Sequence, residues 1–372
     1  NYQKIKSEIA DGGSFCIKKI TNKVLPKVES SVLMTVKFLT VLDSDADQRL
    51  DRWFKRQFPV VTQTMIEKFC RRGEIRVDSL RVKPSVRLRN GQVVRIPPFD
   101  KTPVRATKNI TKILNSDKEM IKNSVIYQDE YLLALNKPAG LAVQGGTGQK
   151  NRHVTSILES IESVAGEKPR LVHRLDKETS GVLLIARTRK VAEHLSKSFR
   201  ERSIRKIYWA LVAGTPPLDV GTVRLSLTKK KISNGKEKMV TLSPSEEENT
   251  RGAKRATTDF AVIEKVANRA TWVGLYPVTG RTHQLRAHMS AIGCPIVGDM
   301  KYGIRKQVNL GDGWGAKIGG IISQKLHLHS RSITFEHPIT KKEVLVEAEL
   351  PGHMQKAWKI FNWDLKWAPK DP

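Results

Sequence analysis

Cysteine is scarce in this chain of 372 residues, and its three copies show no spacing typical of a thiolate metal site or a disulfide framework. Cys16, Cys70 and Cys294 are far apart and odd in number, and no C-x-x-C pair is present. The nine histidines form no H-E-x-x-H motif, and the alternating His327 and His329 are better explained by packing or hydrogen bonding than by zinc. The sequence therefore predicts no metal site and favours a reducing compartment.

The chain also lacks long hydrophobic runs and has few acidic residues. The longest uninterrupted apolar run, Ile207 to Ala213, is about seven residues, whereas a membrane-spanning helix needs roughly 20. The chain has 37 acidic residues against 66 Lys and Arg, which leaves a net charge of +29. A surplus of this size points to a polyanionic partner, and without an apolar span or a separate amphipathic basic helix a nucleic acid is favoured over a membrane surface.

The first 43 residues are predicted to be an N-terminal extension. They carry six lysines and no arginine before Met34, a position where a bacterial relative could begin. This composition suggests a targeting segment for the mitochondrial matrix, with the bacterial cytoplasm as the alternative location. Glu8, Asp11 and Glu29 depart from the acid-poor composition that a mitochondrial presequence normally has.

Residues 44–98 have the pattern of a small separate module. Apolar residues at helical spacing from Leu50 to Phe58 predict one helix, and a capping box from Thr64 to Glu67 predicts the start of a second helix that Gly73 ends. Short strands are predicted after it, one of them following a turn at Asn90-Gly91.

The segments that join and interrupt the larger part of the chain are predicted to be loops. Residues 99–122 have turn formers and no clear period, which predicts a basic, semi-flexible linker. The polar stretches Lys229–Gly252 and Gln307–Gly320 are predicted to be loops that touch RNA or remain disordered.

Two amphipathic elements are predicted in the larger part. Val191, Leu195 and Phe199 mark a helix, and the alternation around Trp209 marks a strand that turns Tyr208 toward the opposite face.

The segment His173–Gly181 contains the strongest candidate for catalysis. Asp176 lies in a polar, turn-forming loop directly before the apolar run Val182–Ala186, and loops held by rigid strands often carry catalytic groups. From these residues alone, a turn aspartate or a local ion pair with Arg174 is the alternative.

The segment resembles the signature His-Arg-Leu-Asp-x-x-Thr-Ser-Gly of the RluA-type family of RNA pseudouridine synthases, with no mismatch at the fixed positions. Three further segments resemble the same family in the same order, namely Asn136–Leu141, Lys206–Gly214 and Thr279–His288. The resemblance extends over roughly residues 123–362 and includes the four motifs together.

The resemblance implies an α+β catalytic domain at residues 123–365, with a long mixed, largely antiparallel sheet and flanking helices around a central cleft. It implies an isomerase that converts uridine to pseudouridine in RNA without a cofactor. The string from Gly140 to Gly146 is most similar to the large-subunit ribosomal RNA branch, so the expected partner is that RNA within a large-subunit or pre-ribosomal particle. Transfer RNA is the alternative substrate, and a ribosome-assembly factor with little or no catalysis is the alternative function.

The resemblance also implies roles for five residues. Asp176 would be the catalytic carboxylate, acting as a nucleophile at the sugar or as a base that removes a sugar proton. Arg286 would pair with Asp176, as its planar fork can bind a carboxylate through two hydrogen bonds. Leu285 would line the pocket, Tyr208 would stack on the target uracil, and Arg174 would fill the gap left in the RNA when the uridine flips out.

The module at residues 44–98 resembles an S-four RNA-binding domain, a two-helix-plus-hairpin unit. Residues 46–98 contain 13 Lys and Arg against 5 Asp and Glu, and a solvated basic face is the alternative to RNA binding. The resemblance implies phosphate contacts from Lys68, Arg71, Arg72 and Arg76.

Overall fold

A computed structural model describes residues 35–99, 113–145, 152–160, 167–231, 237–266, 269–303 and 322–363. The predicted extension up to Met34, most of the predicted linker and the predicted loop at 307–320 lie outside these residues. The chain divides into two compact units, residues 1–109 and 110–372. None of the helices in the described ranges has both the length and the apolar composition needed to cross a membrane.

The first unit is a small four-stranded antiparallel sheet with two helices. The elements are β1 (Lys37–Thr40), α1 (Leu50–Gln57), α2 (Gln63–Arg72), β2 (Arg76–Val77), β3 (Leu80–Arg81) and β4 (Val93–Ile96). The strand order is β1-β4-β2-β3, and Trp53, Phe54 and Ile66 are among the side chains that fill its core. Because β1 pairs with β4, this sheet begins before the predicted boundary at residue 43.

The second helix of this unit starts two residues earlier than predicted. Thr62 is its N-cap and accepts a hydrogen bond from the Met65 backbone N–H, so Thr64 lies inside the helix and the predicted capping box is wrong. The sequence offers two threonines here, and either could serve as the N-cap, because a Ser or Thr before the first turn can accept a hydrogen bond from a backbone N–H that has no partner within the helix. The predicted end at Gly73 is confirmed, since this glycine has the left-handed φ of +71° that favours a residue without a Cβ.

The second unit contains one sheet of eleven described strands with helices against it. Its strands are β5 (Val125–Gln128), β6 (Leu132–Lys137), β7 (Arg170–Leu171), β8 (Ser180–Ala186), β9 (Arg205–Ala213), β10 (Val220–Lys231), β11 (Glu237–Leu242), β12 (Lys254–Val266), β13 (Ala270–Pro277), β14 (Leu328–Glu336) and β15 (Glu343–Glu347). Its helices are α3 (Asn115–Lys122), α4 (Val154–Glu159), α5 (Arg189–Glu201), α6 (Pro244–Asn249), α7 (Gln284–Ala291) and α8 (Gly352–Ile360).

The sheet is mixed and largely antiparallel, as predicted. Its main order is β11-β10-β12-β13-β9-β14-β8-β6-β5, with β15 beside β14 and β7 beside β8. Among the described strands, only β8 and β14 run parallel. Every residue of β8 is buried, as is typical of a strand that is covered on both faces.

Several local predictions can be compared with these elements. The predicted helix with Val191 and Leu195 is confirmed as α5, in which both side chains are buried. His327 and His329 are fully buried, and His329 Nδ1 lies 2.8 Å from Ser180 Oγ, as expected for packing histidines. The end of the predicted linker is helical, because α3 occupies Asn115–Lys122.

The prediction of a loop at Lys229–Gly252 is wrong. Strands β10 and β11 form a regular hairpin here, with Ser226 opposite Leu242 and Lys231 opposite Glu237. The lysines suggested a loop because of their polarity. In the hairpin, Lys229 instead forms an ion pair with Glu237, and the buried Leu227 and Leu242 anchor the strands.

Gly181 permits the close approach of β8 and β14. It has a φ of +104°, and a Cβ at this position would lie 2.1 Å from the Ser330 carbonyl oxygen. No side chain larger than hydrogen can therefore occupy the position without moving one of the two strands. The catalytic candidate Asp176 lies in the loop that leads into this junction.

We expect Gly181→Ala to lower the free energy of unfolding by at least about 3 kcal/mol, because it adds a backbone clash to an unfavourable φ. Gly140 is a matched control, since it has a φ of +85° but open space around its Cβ position. Gly140→Ala should cost only about 1 kcal/mol. Chemical denaturation of both variants measures the difference, and similar costs would show that the β8–β14 contact is unimportant.

Candidate active site

The loop that carries Asp176 is fixed to the sheet at both ends. His173 Nε2 accepts a hydrogen bond of 2.8 Å from the Leu184 backbone N–H, and its ring stacks on Phe199 at 4.5 Å. Burial lowers the pKa of His173 to about 3, which keeps the ring neutral and able to accept this bond. At the other end, the Thr179 N–H closes a turn onto the Asp176 carbonyl oxygen, and Ser180 then enters β8 opposite His329 of β14. His173 is therefore structural.

Lys137, at the end of β6, supports the same loop from beneath. Its side chain is fully buried, and Nζ donates to the carbonyl oxygens of Pro138, Leu141 and Lys177 at 2.8, 2.9 and 3.1 Å. Burial lowers the pKa of Lys137 to about 7, against the opposing effect of two nearby carboxylates, one of them that of Asp176. This amine joins the segment after β6 to the loop that carries Asp176.

Tyr208 is brought beside Asp176 by the alternation of β9. Ile207, Trp209 and Leu211 pack into one core cluster, and Tyr208 points to the opposite face, as predicted. Desolvation raises the pKa of Tyr208 to about 12, and the charge of Asp176 acts in the same direction. The phenol is therefore protonated at neutral pH, and Tyr208 lines the cavity together with Asp176.

Arg286, in the first half of α7, lies between two carboxylates. Its Nη1 is 3.6 Å from Asp176 Oδ2, which confirms the predicted proximity of the two charges. Its two short hydrogen bonds go elsewhere, from Nε to Asp299 Oδ2 at 2.7 Å and from Nη2 to Asp299 Oδ1 at 2.8 Å. The expected two-bond partner was Asp176, but the fully buried Asp299 takes that place because it lies directly in line with the guanidinium fork.

Asp299 is held in turn by the backbone that follows it. Its Oδ1 accepts hydrogen bonds from the N–H groups of Lys301 and Tyr302, both at 2.9 Å. Burial acts to raise the pKa of Asp299, but the bonds and charge of Arg286 and these N–H groups leave it lowered. The carboxylate is therefore ionised at neutral pH and balances the charge of Arg286.

His283 precedes α7 and faces Asp176 from the same side as Arg286. Its Nε2 lies 3.6 Å from Asp176 Oδ2, and its Nδ1 lies 2.9 Å from the Tyr302 hydroxyl. The backbone of His283 is left-handed, with φ of 52° and ψ of 23°, which is uncommon for a residue other than glycine. Burial lowers the pKa of His283.

Part of this set of side chains lines a cavity of about 540 Å³. Five of the nine predicted site residues line it, namely Asp176, Tyr208, Arg286, Arg174 and Leu285. Leu285 is buried and Arg174 is exposed. The rim is basic, and further cations along it are Arg200, Arg202, Lys206 and Arg281.

The other four predicted residues lie in the first unit. Lys68 and Arg71 are exposed on α2, and Arg72 forms an ion pair of 3.7 Å with Glu74. Arg76 donates to the carbonyl oxygens of Gly73 and Ser79, so part of its hydrogen-bonding capacity is used within the unit.

Three residues at this site were not predicted from the sequence, namely Asp299, His283 and Tyr302. His283 lies in the same motif as Arg286, which was a usable signal. Asp299 and Tyr302 lie outside the four motifs, and their contacts with Arg286 and His283 depend on the tertiary structure.

The geometry suits acid–base or nucleophilic chemistry by one carboxylate. Within the described ranges, no three His, Cys, Asp or Glu side chains are grouped to bind a metal ion. Asp176 is partly exposed at the cavity, beside one cation, one neutral imidazole and one phenol. The basic rim complements a polyanionic ligand.

Comparison with known proteins gives consistent matches. Residues 131–291 match the family model described as RNA pseudouridylate synthase. "Ribosomal large subunit pseudouridine synthase C" of Vibrio cholerae is 33% identical over 332 residues, covering 87% of this chain and 96% of that protein. The protein of the same name in Haemophilus influenzae is 35% identical over 337 residues, covering 88% and 96%.

A solved structure is similar as well. The structure of "Human RNA Pseudouridylate Synthase Domain Containing 4" is 26% identical, with a TM-score of 0.54, and the match covers 70% of this chain and 98% of that one. Asp176, Tyr208 and Arg286 all fall within the residues that the family model matches, whereas Asp299 falls outside them.

We expect Asp299→Asn to lower the free energy of unfolding by about 3 kcal/mol, because it removes the main counter-charge of a buried guanidinium. Glu193→Gln is the control, since it also turns a carboxylate into an amide but breaks an exposed pair with Arg189. That change should cost less than about 1 kcal/mol. Urea denaturation compares the two, and equal losses would mean that Arg286 does not depend on Asp299.

Proposed function

This chain belongs to the RNA pseudouridylate synthase family, and we propose that it isomerises uridines of large-subunit ribosomal RNA with Asp176 as the catalytic carboxylate. The position of Asp176 is the observation that carries the proposal. It lies in a cavity with Arg286 and His283 each 3.6 Å from Oδ2, and its side chain is 22% exposed. The carboxylate is therefore accessible to a bound nucleoside.

The reaction needs no atoms beyond those of the uridine. The bond from the sugar to N1 of the base breaks, the base turns in place, and a bond from the sugar to carbon 5 forms. Carbon 5 loses a proton and N1 gains one, so protons and electrons balance. A carboxylate can start this sequence as a nucleophile at the sugar carbon or as a base for a sugar proton, and both routes need its ionised form.

Arg286 places a positive charge beside this carboxylate. A cation within about 4–6 Å of a carboxylate favours its charged form. Arg286 is always charged and is itself held by Asp299, so its charge beside Asp176 is fixed in place. Tyr208 offers a flat aromatic surface on which a uracil ring can stack.

Access to a base within folded RNA requires that the nucleotide leave its stack, at a cost of a few kcal/mol. The cavity of about 540 Å³ has room for one nucleoside, and its cationic rim suits the flanking phosphates. Arg174, exposed at this rim, is the side chain that we propose takes the place of the flipped base.

Ribosomal RNA is proposed as the substrate because the relatives that match along nearly their whole length are named for the large ribosomal subunit. A large-subunit or pre-ribosomal particle is the form in which we expect the chain to meet this RNA. Residues 44–98, which contain helices α1 and α2 and strands β2 to β4, are proposed as an S-four RNA-binding module that adds affinity.

We expect Asp176→Asn to lower product formation by at least about 10³-fold, because the neutral amide is neither a nucleophile nor a base. RNA affinity should stay within about twofold, as most of it comes from phosphate contacts. Glu178→Gln is the matched control, two residues away on the exposed side of the same loop, and should retain activity.

Pseudouridine mapping of ribosomal and transfer RNA after incubation with each protein is the measurement. Sites in transfer RNA alone would replace the proposed substrate, and sites produced by Asp176→Asn would contradict the proposed role of Asp176. No product from the wild type, together with tight binding to ribosomal particles, would favour an assembly factor.

We expect joint replacement of Arg71, Arg72 and Arg76 by Ala to weaken RNA binding and to reduce the slope of log affinity against log salt. The reduction should be up to about one unit for each lost phosphate contact. The control removes three exposed cations elsewhere in the same unit, Lys55, Lys83 and Arg89. Filter binding across salt concentrations measures the affinity and the slope for both variants. Equal slopes would show that α2 and β2 do not contact the RNA.

A further inference from the structure

The left-handed backbone of His283 is held in place by the side-chain hydrogen bonds of the next residue, Gln284. Gln284 Oε1 accepts from the Arg281 N–H at 3.0 Å, and Gln284 Nε2 donates to the Thr257 carbonyl at 2.8 Å and to Thr258 Oγ1 at 2.9 Å. A left-handed backbone at a non-glycine residue costs of order 1–3 kcal/mol and persists where neighbouring contacts enforce it, often at functional sites. The imidazole of His283 is thereby placed against Asp176.

The contacts of Tyr302 determine which nitrogen of His283 carries the proton. The Tyr302 hydroxyl oxygen accepts from the Met239 backbone N–H at 3.2 Å, and the same oxygen lies 2.9 Å from His283 Nδ1. Tyr302 is buried, and its O–H proton needs an acceptor. If Nδ1 were protonated, two donors would point at the phenol oxygen and its own proton would have no acceptor among these groups. The phenol therefore donates to an unprotonated Nδ1.

The other end of the ring agrees with this assignment. A neutral imidazole with an unprotonated Nδ1 carries its proton on Nε2, and Nε2 faces Asp176 Oδ2 at 3.6 Å. The opposite tautomer would direct a lone pair at a carboxylate oxygen. Burial lowers the pKa of His283, with Arg286 and Lys301 acting in the same direction and Asp176 opposing, which is consistent with a neutral ring.

We propose that His283, as the tautomer with its proton on Nε2, is a positioning residue that holds Oδ2 of Asp176 together with Arg286 and so leaves Oδ1 to react. Both donors approach the same oxygen at 3.6 Å, and contacts of this kind often shorten to hydrogen bonds only when substrate is bound. The inference rests on the proposed function and adds to it the choice of the reacting oxygen.

The same contacts connect the β10–β11 hairpin to the active site. Met239 belongs to β11, and its backbone N–H sets the orientation of the Tyr302 hydroxyl. Lys238, next to it, places Nζ 4.8 Å from the centre of the Tyr302 ring, and Arg286 stacks on that ring at 5.1 Å. The hairpin thus acts on His283 through one phenol.

Two variants of equal side-chain length test the positioning role. His283→Gln keeps an N–H donor near the position of Nε2, whereas His283→Met removes it, and both residues pay a similar cost for the left-handed backbone. We expect Gln to retain kcat within about threefold and Met to lower kcat about 10- to 100-fold, the range of a lost hydrogen bond to a charged group, while KM for the RNA stays within twofold. Equal kcat for the two variants would overturn the proposal.

The tautomer can be measured without catalysis. Nitrogen-15 NMR of the full chain, with the His283 signals assigned by comparison with His283→Gln, should show a protonated Nε2 and an unprotonated Nδ1. Tyr302→Phe keeps the ring and removes the hydroxyl, and it should shift the population toward the other tautomer. A protonated Nδ1 in the wild type would overturn the assignment, even if His283→Met does not fold.

The outcomes separate this inference from the function on which it rests. A wild type that makes no pseudouridine, with the expected tautomer, would count against the proposed function alone. An active wild type in which the Gln and Met variants have equal kcat would count against the role of His283 alone.

Discussion

The buried charge of Arg286 is the constraint on which the rest of the active site depends. Taking a guanidinium out of water costs several kcal/mol unless it is paired and hydrogen-bonded. Asp299 meets most of this need with two short bonds, and the backbone after it fixes Asp299 in place. Asp176 can then benefit from the positive charge at 3.6 Å without being enclosed by it. One carboxylate stabilises the arginine and a second one remains available for chemistry.

The order of the strands brings these groups together from distant parts of the chain. Asp176 precedes β8 and Tyr208 lies in β9, yet the strand between them, β14, comes more than a hundred residues later in the sequence. The contact of β14 with β8 depends on Gly181, because no Cβ fits against the Ser330 carbonyl oxygen. A glycine within the most recognisable motif of the chain thus has a packing role that is separate from the role of Asp176.

The β10–β11 hairpin contacts residues next to the active site. Its lysines made it resemble a loop in the sequence, but its backbone contacts Tyr302 and thereby the imidazole beside Asp176. The side chain of Tyr302 therefore lies between this cationic hairpin and the imidazole that faces Asp176. This connection gives a physical route by which substrate contacts outside the cavity can affect the geometry inside it.

The sequence by itself determined the properties of this protein that depend on composition or on residues close together in the chain. The charge of +29 indicated a polyanionic partner, four ordered motifs identified the fold class and five residues of the cavity, and the alternation of β9 oriented Tyr208 correctly. Only the tertiary structure decided the partner of Arg286, the position of His283 beside Asp176 and the hairpin at Lys229. Hydrogen-bond geometry and desolvation select a partner by its position in space, and residues such as Asp299 and Met239 carry no local pattern that reveals their position.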